Sequence, residues 1–252
     1  MPRKPRFYAA GIAHHVAQSV PDRTPCFHQD RDYTQCLRFL RDASLDYDCR
    51  IHAYALLPHG LHLILAPSEE RGIPRFMQSL ARRYVAYLNR EYQRSGSLWT
   101  QRYKAGAIDA PNYLVPVSRY IEFRPVQLGY VDAPQAYRWS SYRNNALGIG
   151  DDLTSFHQVY IQLGGDTDQR RRRYRQWADK LQDPTMQRDI ERSLTLGLPL
   201  GSSQFKQDLA RTLNVLPISL YPRRCLNQDE SKRHRNRDYS ESARLASSKS
   251  AV

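Results

Sequence analysis

Two histidines, His59 and His62, lie within an otherwise apolar stretch, where a pair of imidazoles could hold a metal ion if both pointed the same way. Pro58 and Gly60 mark a strand boundary or bulge, and Leu61–Leu65 is typical of a buried strand. Residues on a strand share a face only at even separations, so these histidines, three positions apart, point to opposite faces unless a bulge resets the count. On these residues alone, the pattern favours a core histidine at 62 and a loop histidine at 59.

Tyr120 and Arg124 are four residues apart in a stretch, 112–128, whose apolar spacing and opening Pro111 predict a helix. That separation places both side chains on or beside one helical face. Without further context Tyr120 is more simply explained as a core tyrosine, which is ordinary on a buried helix face.

The elements that must position these residues follow a clear order. Alternating or helical spacing predicts strands at 9–19 and 50–57, a second strand of a hairpin through His62, a short strand ending at Asp109, and helices over 30–47, 74–95 and 112–128. This order predicts an α+β fold in which an antiparallel sheet is covered by helices mainly on one face. Shorter helical segments are expected at 155–163, 169–181, 185–196 and 202–213. We therefore predict a first domain over 1–148, a helical extension over 149–216 and a basic, disordered tail over 217–252.

The composition favours a polyanionic partner. The 252 residues carry 38 basic and 25 acidic side chains, a formal net charge of +13, together with 17 tyrosines. Basic groups interleaved with flat aromatic faces suit nucleic acid better than a membrane surface. The four cysteines are scattered without a Cys-x-x-Cys pair, and no apolar run is long enough to span a membrane, so we expect a cytoplasmic protein without zinc or disulfides.

Clusters of basic residues are the first candidates for contact with phosphate. The predicted helix over 74–95 has an arginine-rich side that only Glu91 balances, although such a side is usually just solvated. Arg102 and Lys104 accompany Trp99 and Tyr103, whose alternative role is packing. The predicted DNA-binding residues are Arg82, Arg83, Arg102, Lys104, Arg124 and, in an N-terminal arm, Arg3 and Lys4.

Several motifs occur together in one order. They are the early strand over 12–18, Leu57–Leu63 with both histidines, Leu98–Lys104, Arg119–Val126 with Tyr120, and Trp139–Tyr142. In this combination, over residues 5–148, the chain resembles the single-tyrosine transposases of the His-hydrophobic-His nuclease superfamily, in particular the REP-associated tyrosine transposases of bacteria. Gly197–Ser202 is similar to a recurring feature of longer members. The resemblance implies a ferredoxin-like nickase fold.

The resemblance also implies a reaction and a set of residues for it. In such enzymes a tyrosine attacks a DNA phosphodiester, becomes joined to the 5′ phosphate and leaves a 3′ hydroxyl, on single-stranded or hairpin DNA. A divalent ion, Mg²⁺ or Mn²⁺, is held by two histidines flanking one apolar residue and by an amide four residues after the tyrosine. Tyr120 matches the nucleophile and His62 the second histidine. The implied location is nucleoid-associated.

The metal positions depart from the family pattern. The first histidine falls on Gly60, with His59 one position before it, and the amide falls on Arg124. Glycine offers no ligand, and a guanidinium repels a dication and has no lone pair to donate. Two interpretations stay open: a bulge at Gly60 brings His59 into the metal site, or Arg124 replaces the cation and holds DNA without cutting it efficiently.

We therefore predict a DNA-binding, transposase-type protein that cleaves and rejoins single-stranded or hairpin DNA through a 5′-phosphotyrosine intermediate, with impaired catalysis. The alternative is an inactive module, derived from such a transposase, that binds structured nucleic acid. A third interpretation is a general RNA-binding domain. The residues assign His14 and His15 only a structural role, and they leave a homodimer open.

Overall fold

The computed structural model describes residues 7–20, 24–99, 101–180 and 183–216. The predicted N-terminal arm with Arg3 and Lys4, and the predicted tail over 217–252, lie outside the described residues. Within the described part of the chain, no helix is both long and apolar enough to cross a membrane.

Four antiparallel strands form one sheet with the order β2-β3-β1-β4. Pro58 and His59 form a two-residue turn between β2 and β3, so the predicted hairpin is confirmed. The first strand is shorter than predicted, because the chain turns at Gly11, whose φ is 73°. The strands are β1 (His14–Ser19), β2 (Cys49–Leu57), β3 (Gly60–Pro67) and β4 (Lys104–Ala107).

Two long helices, α1 (Asp30–Asp46) and α2 (Gly72–Glu91), pack against each other on one face of the sheet. Each connects two parallel strands that are separated by one other strand, and right-handed connections place both helices on the same face. Arg83 of α2 lies 2.7 Å from Asp46 and 3.5 Å from Asp42 of α1. The expectation that only one acidic residue balances the arginines of this helix is therefore wrong.

The helix that carries Tyr120 lies on the other face of the sheet, against β2 and β3. The predicted single helix over 112–128 is in fact two, α3 (Ala110–Glu122) and the short α4 (Arg124–Gln127). Pro125 explains the break, since proline lacks an amide hydrogen and disfavours a helical residue before it. Arg124 consequently begins a new helix one turn beyond Tyr120.

The remaining helices pack mainly around α3 and beside β4 of the sheet. Four of them correspond to the predicted helical segments, and one precedes them. The Gly197–Ser202 motif adds a short parallel bridge to the sheet edge, because the Leu200 amide donates to the Ala107 carbonyl and the Asp109 amide donates to the Leu200 carbonyl. The helices are α5 (Tyr142–Leu147), α6 (Gln158–Ile161), α7 (Thr167–Ala178), α8 (Pro184–Leu196) and α9 (Ser203–Thr212). The α+β prediction is confirmed.

Candidate functional site

One row of residues crosses the sheet beneath α3 and forms the floor of the site. Ala17 of β1 lies between Lys104 of β4 and His62 of β3 in the strand pairing, so the three side chains share a face. Ala17 is small and leaves space between a cationic and an imidazole side chain. The hydrophobic pattern of β3 fixes this arrangement, because Leu61 and Leu63 are buried on the opposite face.

His15, which sequence reasoning did not select, contacts His62. Its Nε2 atom lies 3.0 Å from Nδ1 of His62, and the two rings are 5.3 Å apart. Both imidazoles have a pKa below the usual range: burial lowers that of His62 to about 3, with further effect from Arg124 and Lys104, and burial also lowers that of His15. At neutral pH the pair is therefore uncharged, with one ring donating to the other.

Tyr120 packs on this histidine pair. Its ring centre lies 5.8 Å from that of His15 and 6.1 Å from that of His62, both edge-on. The side chain is 2% exposed, and its hydroxyl donates to Glu191 of α8 at 3.4 Å. Burial raises the pKa of Tyr120 to about 12; Arg124 opposes this rise and Glu191 adds to it. The phenol is thus placed beside the histidines but is protonated and covered.

Arg124 lies over the same tyrosine. Its guanidinium carbon is 5.2 Å from the centre of the Tyr120 ring, within the range of a cation–π contact. Nη1 donates to Gln127 at 3.2 Å and lies 4.0 Å from the carboxylate of Glu191. Nε is buried without a hydrogen-bond partner. The 4.0 Å ion pair of Arg124 with Glu191 is long, so the charge of the guanidinium is only weakly neutralised.

A cleft of about 630 Å³ opens beside these residues, between β1, β3, α4 and α8. Its charged and imidazole lining comprises Lys104, Arg124, His62 and His59, and the rest of its lining is largely apolar. Four of the predicted site residues thus line one cleft, and Tyr120 contacts two of them, Arg124 and His62.

The turn at His59 is regular. Gly60 pairs with Leu57 and with Ser19, and the register shift of the β2–β3 pair lies between Ile51 and Ala53 instead. His59 lies in the turn, where its Nδ1 is 3.3 Å from the carbonyl oxygen of Thr24. The bulge considered at Gly60 is therefore absent from the described hairpin. A Cβ at position 60 would also collide with the backbone oxygen of Gln18.

Other predicted DNA-binding residues lie elsewhere. Arg82 and Arg83 are on α2, across the sheet from Tyr120, and Arg83 is engaged by two aspartates of α1. Arg102 is exposed just before β4. Trp99 has the packing role considered for it, since its ring stacks on buried Tyr84 at 5.8 Å.

The residues around His62 do not fit the divalent ion that the resemblance implies. Mg²⁺ and Mn²⁺ prefer oxygen ligands, whereas this site presents two hydrogen-bonded imidazoles flanked by Arg124 and Lys104. Among the described residues, no group of three or more His, Cys, Asp or Glu side chains could hold a metal ion. Two nearby cations would repel a dication further.

A buried carboxyl group lies two residues after Tyr120. Glu122 is fully buried and accepts hydrogen bonds from Ser141 at 2.6 Å, Asn145 at 2.8 Å and Tyr174 at 2.6 Å. Burial raises the pKa of Glu122 to about 7, although the three donors favour its ionised form. Through Tyr174 of α7, the network ties the tyrosine helix to the helical extension.

Comparison with known proteins agrees with this geometry. Residues 9–124 match the family model for IS200-like transposases. A solved REP-associated tyrosine transposase bound to a REP hairpin is 18% identical with a TM-score of 0.51, over 63% of this chain and 93% of that chain. A structure from Deinococcus radiodurans R1 is 20% identical with a TM-score of 0.35, over 48% of this chain and 96% of that one. No curated protein is similar enough to match.

The sheet, with a tyrosine helix over its histidine face, has the fold of the first of these structures. Residues 9–124 match the model of the IS200-like transposase family, and this match confirms the resemblance that the motifs predicted.

Proposed function

We propose that this protein binds single-stranded or hairpin DNA in the cleft beside Tyr120 and that its ability to cut the strand is strongly impaired. The observation that carries this proposal is the position of Arg124, one turn from Tyr120 and facing the same cleft as His62. A guanidinium holds a phosphate through two parallel hydrogen bonds. It lacks the Lewis acidity with which a metal ion polarises a scissile phosphate. We therefore expect the protein to bind DNA but to cleave it poorly.

Charge and similarity both support DNA as the partner. The net charge of +13 favours a polyanion, and Lys104 places a second cation on the floor of the cleft. The similar REP-associated transposase is bound to a REP hairpin. A hairpin-forming repeat is accordingly the first substrate to test.

Residual strand cleavage is the second candidate function, and the contact of Tyr120 with His15 and His62 favours it. In that reaction the Tyr120 hydroxyl would give up its proton and its oxygen would attack phosphorus. The bond to the 3′ oxygen would break, and the leaving 3′ oxygen would take up a proton, so that no proton is gained or lost overall. The 5′ phosphate would stay on the tyrosine. With a pKa of about 12, the phenol supplies little phenolate at neutral pH, so this step is slow.

A fluorescent DNA hairpin with single-stranded flanks tests both functions in one assay. We expect tight binding by anisotropy, unchanged in Tyr120→Phe, weakened about 10- to 100-fold in Arg124→Ala and partly retained in Arg124→Lys, because a charge-assisted hydrogen bond contributes about 1.5–3 kcal/mol. Denaturing gels run with Mn²⁺ and with EDTA should show no covalent adduct.

Arg75→Ala is the matched control, since it removes one positive charge from α2, where Arg75 pairs with Glu69 at 2.6 Å. It should change affinity far less than Arg124→Ala. A covalent adduct that forms with Mn²⁺ and disappears in Tyr120→Phe would contradict the proposal that strand cleavage is impaired. Equal competition by single-stranded RNA would favour the RNA-binding interpretation instead.

A further inference from the structure

The cleft extends beyond its cationic residues into an apolar part that the proposed phosphate contact does not use. Leu57, Leu128, Tyr130 and Leu194 line this part. Leu128 and Tyr130 are 44% and 40% exposed, so neither side chain is buried in the core and both are accessible from the cleft. An exposed aromatic and an exposed aliphatic side chain beside two cations require a ligand with both charged and flat apolar parts.

Backbone hydrogen bonds fix the path of the chain between Arg124 and Tyr130. After α4 the chain reverses at Gly129, whose φ of 72° lies in the left-handed region. The Leu128 amide donates to the Arg124 carbonyl at 3.0 Å, and the Tyr130 amide donates to the Pro125 carbonyl at 2.9 Å. The aromatic ring and the guanidinium are therefore presented by one short, hydrogen-bonded unit, which limits the entropy lost when a ligand contacts both.

We propose that this part of the cleft is a subsite for one unpaired nucleotide, whose base stacks on Tyr130 against Leu128 while its phosphate lies towards Arg124 and Lys104. The subsite deepens the proposed DNA-binding function and rests on it. A volume of about 630 Å³ lies within the range of ligand pockets, which is about 300–1,000 Å³. Arginine, lysine and tyrosine side by side match the repeating phosphate and base of a single strand.

The subsite should accept any of the four bases. Stacking uses the face that every base has, and the amide of Gln18, which also lines the cleft, already donates to the Gln101 carbonyl at 2.9 Å. An apolar ligand without charge would leave Arg124 and Lys104 unused, whereas a duplex would hide its base faces. An unpaired nucleotide therefore fits best.

Two DNA ligands separate this subsite from general DNA binding: a hairpin with a three-nucleotide unpaired flank and the same hairpin with blunt ends. We expect Tyr130→Ala to weaken binding of the flanked hairpin about tenfold, Tyr130→Phe to retain it, and neither to affect the blunt hairpin, because stacking on an aromatic ring is lost only in the alanine variant. A 2-aminopurine in the flank should be quenched by the parent and by Tyr130→Phe but not by Tyr130→Ala.

Leu45→Ala is the control, since Leu45 is 74% exposed on α1 and its loss should change neither affinity. Thermal unfolding of each variant checks that it is folded. If the parent binds the blunt hairpin and Tyr130→Ala weakens both ligands equally or neither, or if an abasic flank binds as tightly as a normal one, the subsite is refuted while the DNA-binding function stands. If the parent binds neither hairpin, both are refuted.

Discussion

Nε2 of His15 and Nδ1 of His62 lie 3.0 Å apart, although the two residues are separated by 47 positions in the chain. Burial lowers the pKa of both imidazoles, so the pair is neutral at physiological pH, and this gives the protein a pH dependence that can be measured.

His62→Gln should make the protein less sensitive to acid. The folded-state pKa of His62 is about 3 against an ordinary 6.5, so below pH 6.5 the unfolded state binds a proton that the folded state excludes. This contribution to stability is present above pH 6.5 and is lost as pH falls. Removing it should shrink the difference in unfolding free energy between pH 7.5 and pH 5 by about 1–2 kcal/mol, measured by urea unfolding. An unchanged difference would contradict the neutral pair, and the change from pH 7.5 to 8.5 should match the parent.

Divalent metal should leave the protein unaffected. Because the site has too few metal ligands and two nearby cations, neither Mn²⁺ nor EDTA should shift the thermal unfolding midpoint. A bound ion would instead stabilise the folded state increasingly as its free concentration rises above its dissociation constant. The measurement is a thermal scan with each additive. A rise with Mn²⁺ that vanishes in His62→Ala would show that a metal site exists.

Glu191→Ala should strengthen DNA binding. The Glu191 carboxylate lies 4.0 Å from Arg124, where it competes with a phosphate. Because the Glu191 side chain is 45% exposed and such pairs are worth at most about 1 kcal/mol, we expect affinity for the hairpin to rise about two- to fivefold at low salt. Glu69→Ala removes the same charge from a pair on the far side of the sheet. Equal gains in the two variants would mean that only net charge matters.

Gly60→Ala should destabilise the fold, because a Cβ there meets the backbone of β1 at Gln18. Overpacking of this kind costs about 1–3 kcal/mol. Gly150→Ala is the control, since a Cβ there has open space, and its effect should stay within about 0.5 kcal/mol. Urea unfolding measures both. If Gly60→Ala is as stable as the parent, β1 can shift, and the family histidine could be restored at position 60.

Local patterns predicted the hairpin and the two long helices, because each depends on residues close together in sequence. The placement of His62 near Tyr120, which are 58 positions apart, came instead from the family resemblance. His15 was missed because its role depends on how β1 registers against β3, which hydrophobic alternation in β1 does not fix. The available signal was that His15 and Ala17 are two positions apart on β1 and therefore lie on one face of the strand, the face that Ala17 shares with His62. Pro125 could have predicted the break between α3 and α4. The helical spacing of apolar residues continues past Pro125, however, and led to the prediction of a single helix.

The arginines of α2 illustrate the opposite error. Counting charges within one helix left Arg83 without a partner, whereas its aspartates come from α1, 37 and 41 residues earlier. Pairing between helices depends on tertiary packing, which single-helix patterns do not contain. The division into a domain over 1–148 and an extension over 149–216 stays a prediction.

The hydrogen bond from Tyr174 to Glu122 limits how far the chain can be shortened without loss of stability. A fragment ending near residue 148 would lose α7 and leave a buried carboxylate short of one donor, just two positions from the tyrosine whose helix it anchors. Such a fragment would expose the inner side of α3 and release the segment that aims Arg124. Work on a minimal unit should therefore keep the chain at least through α8, which also supplies Leu194 to the cleft. Loss of DNA binding in shorter pieces would reflect this missing support as well as the missing lining residue.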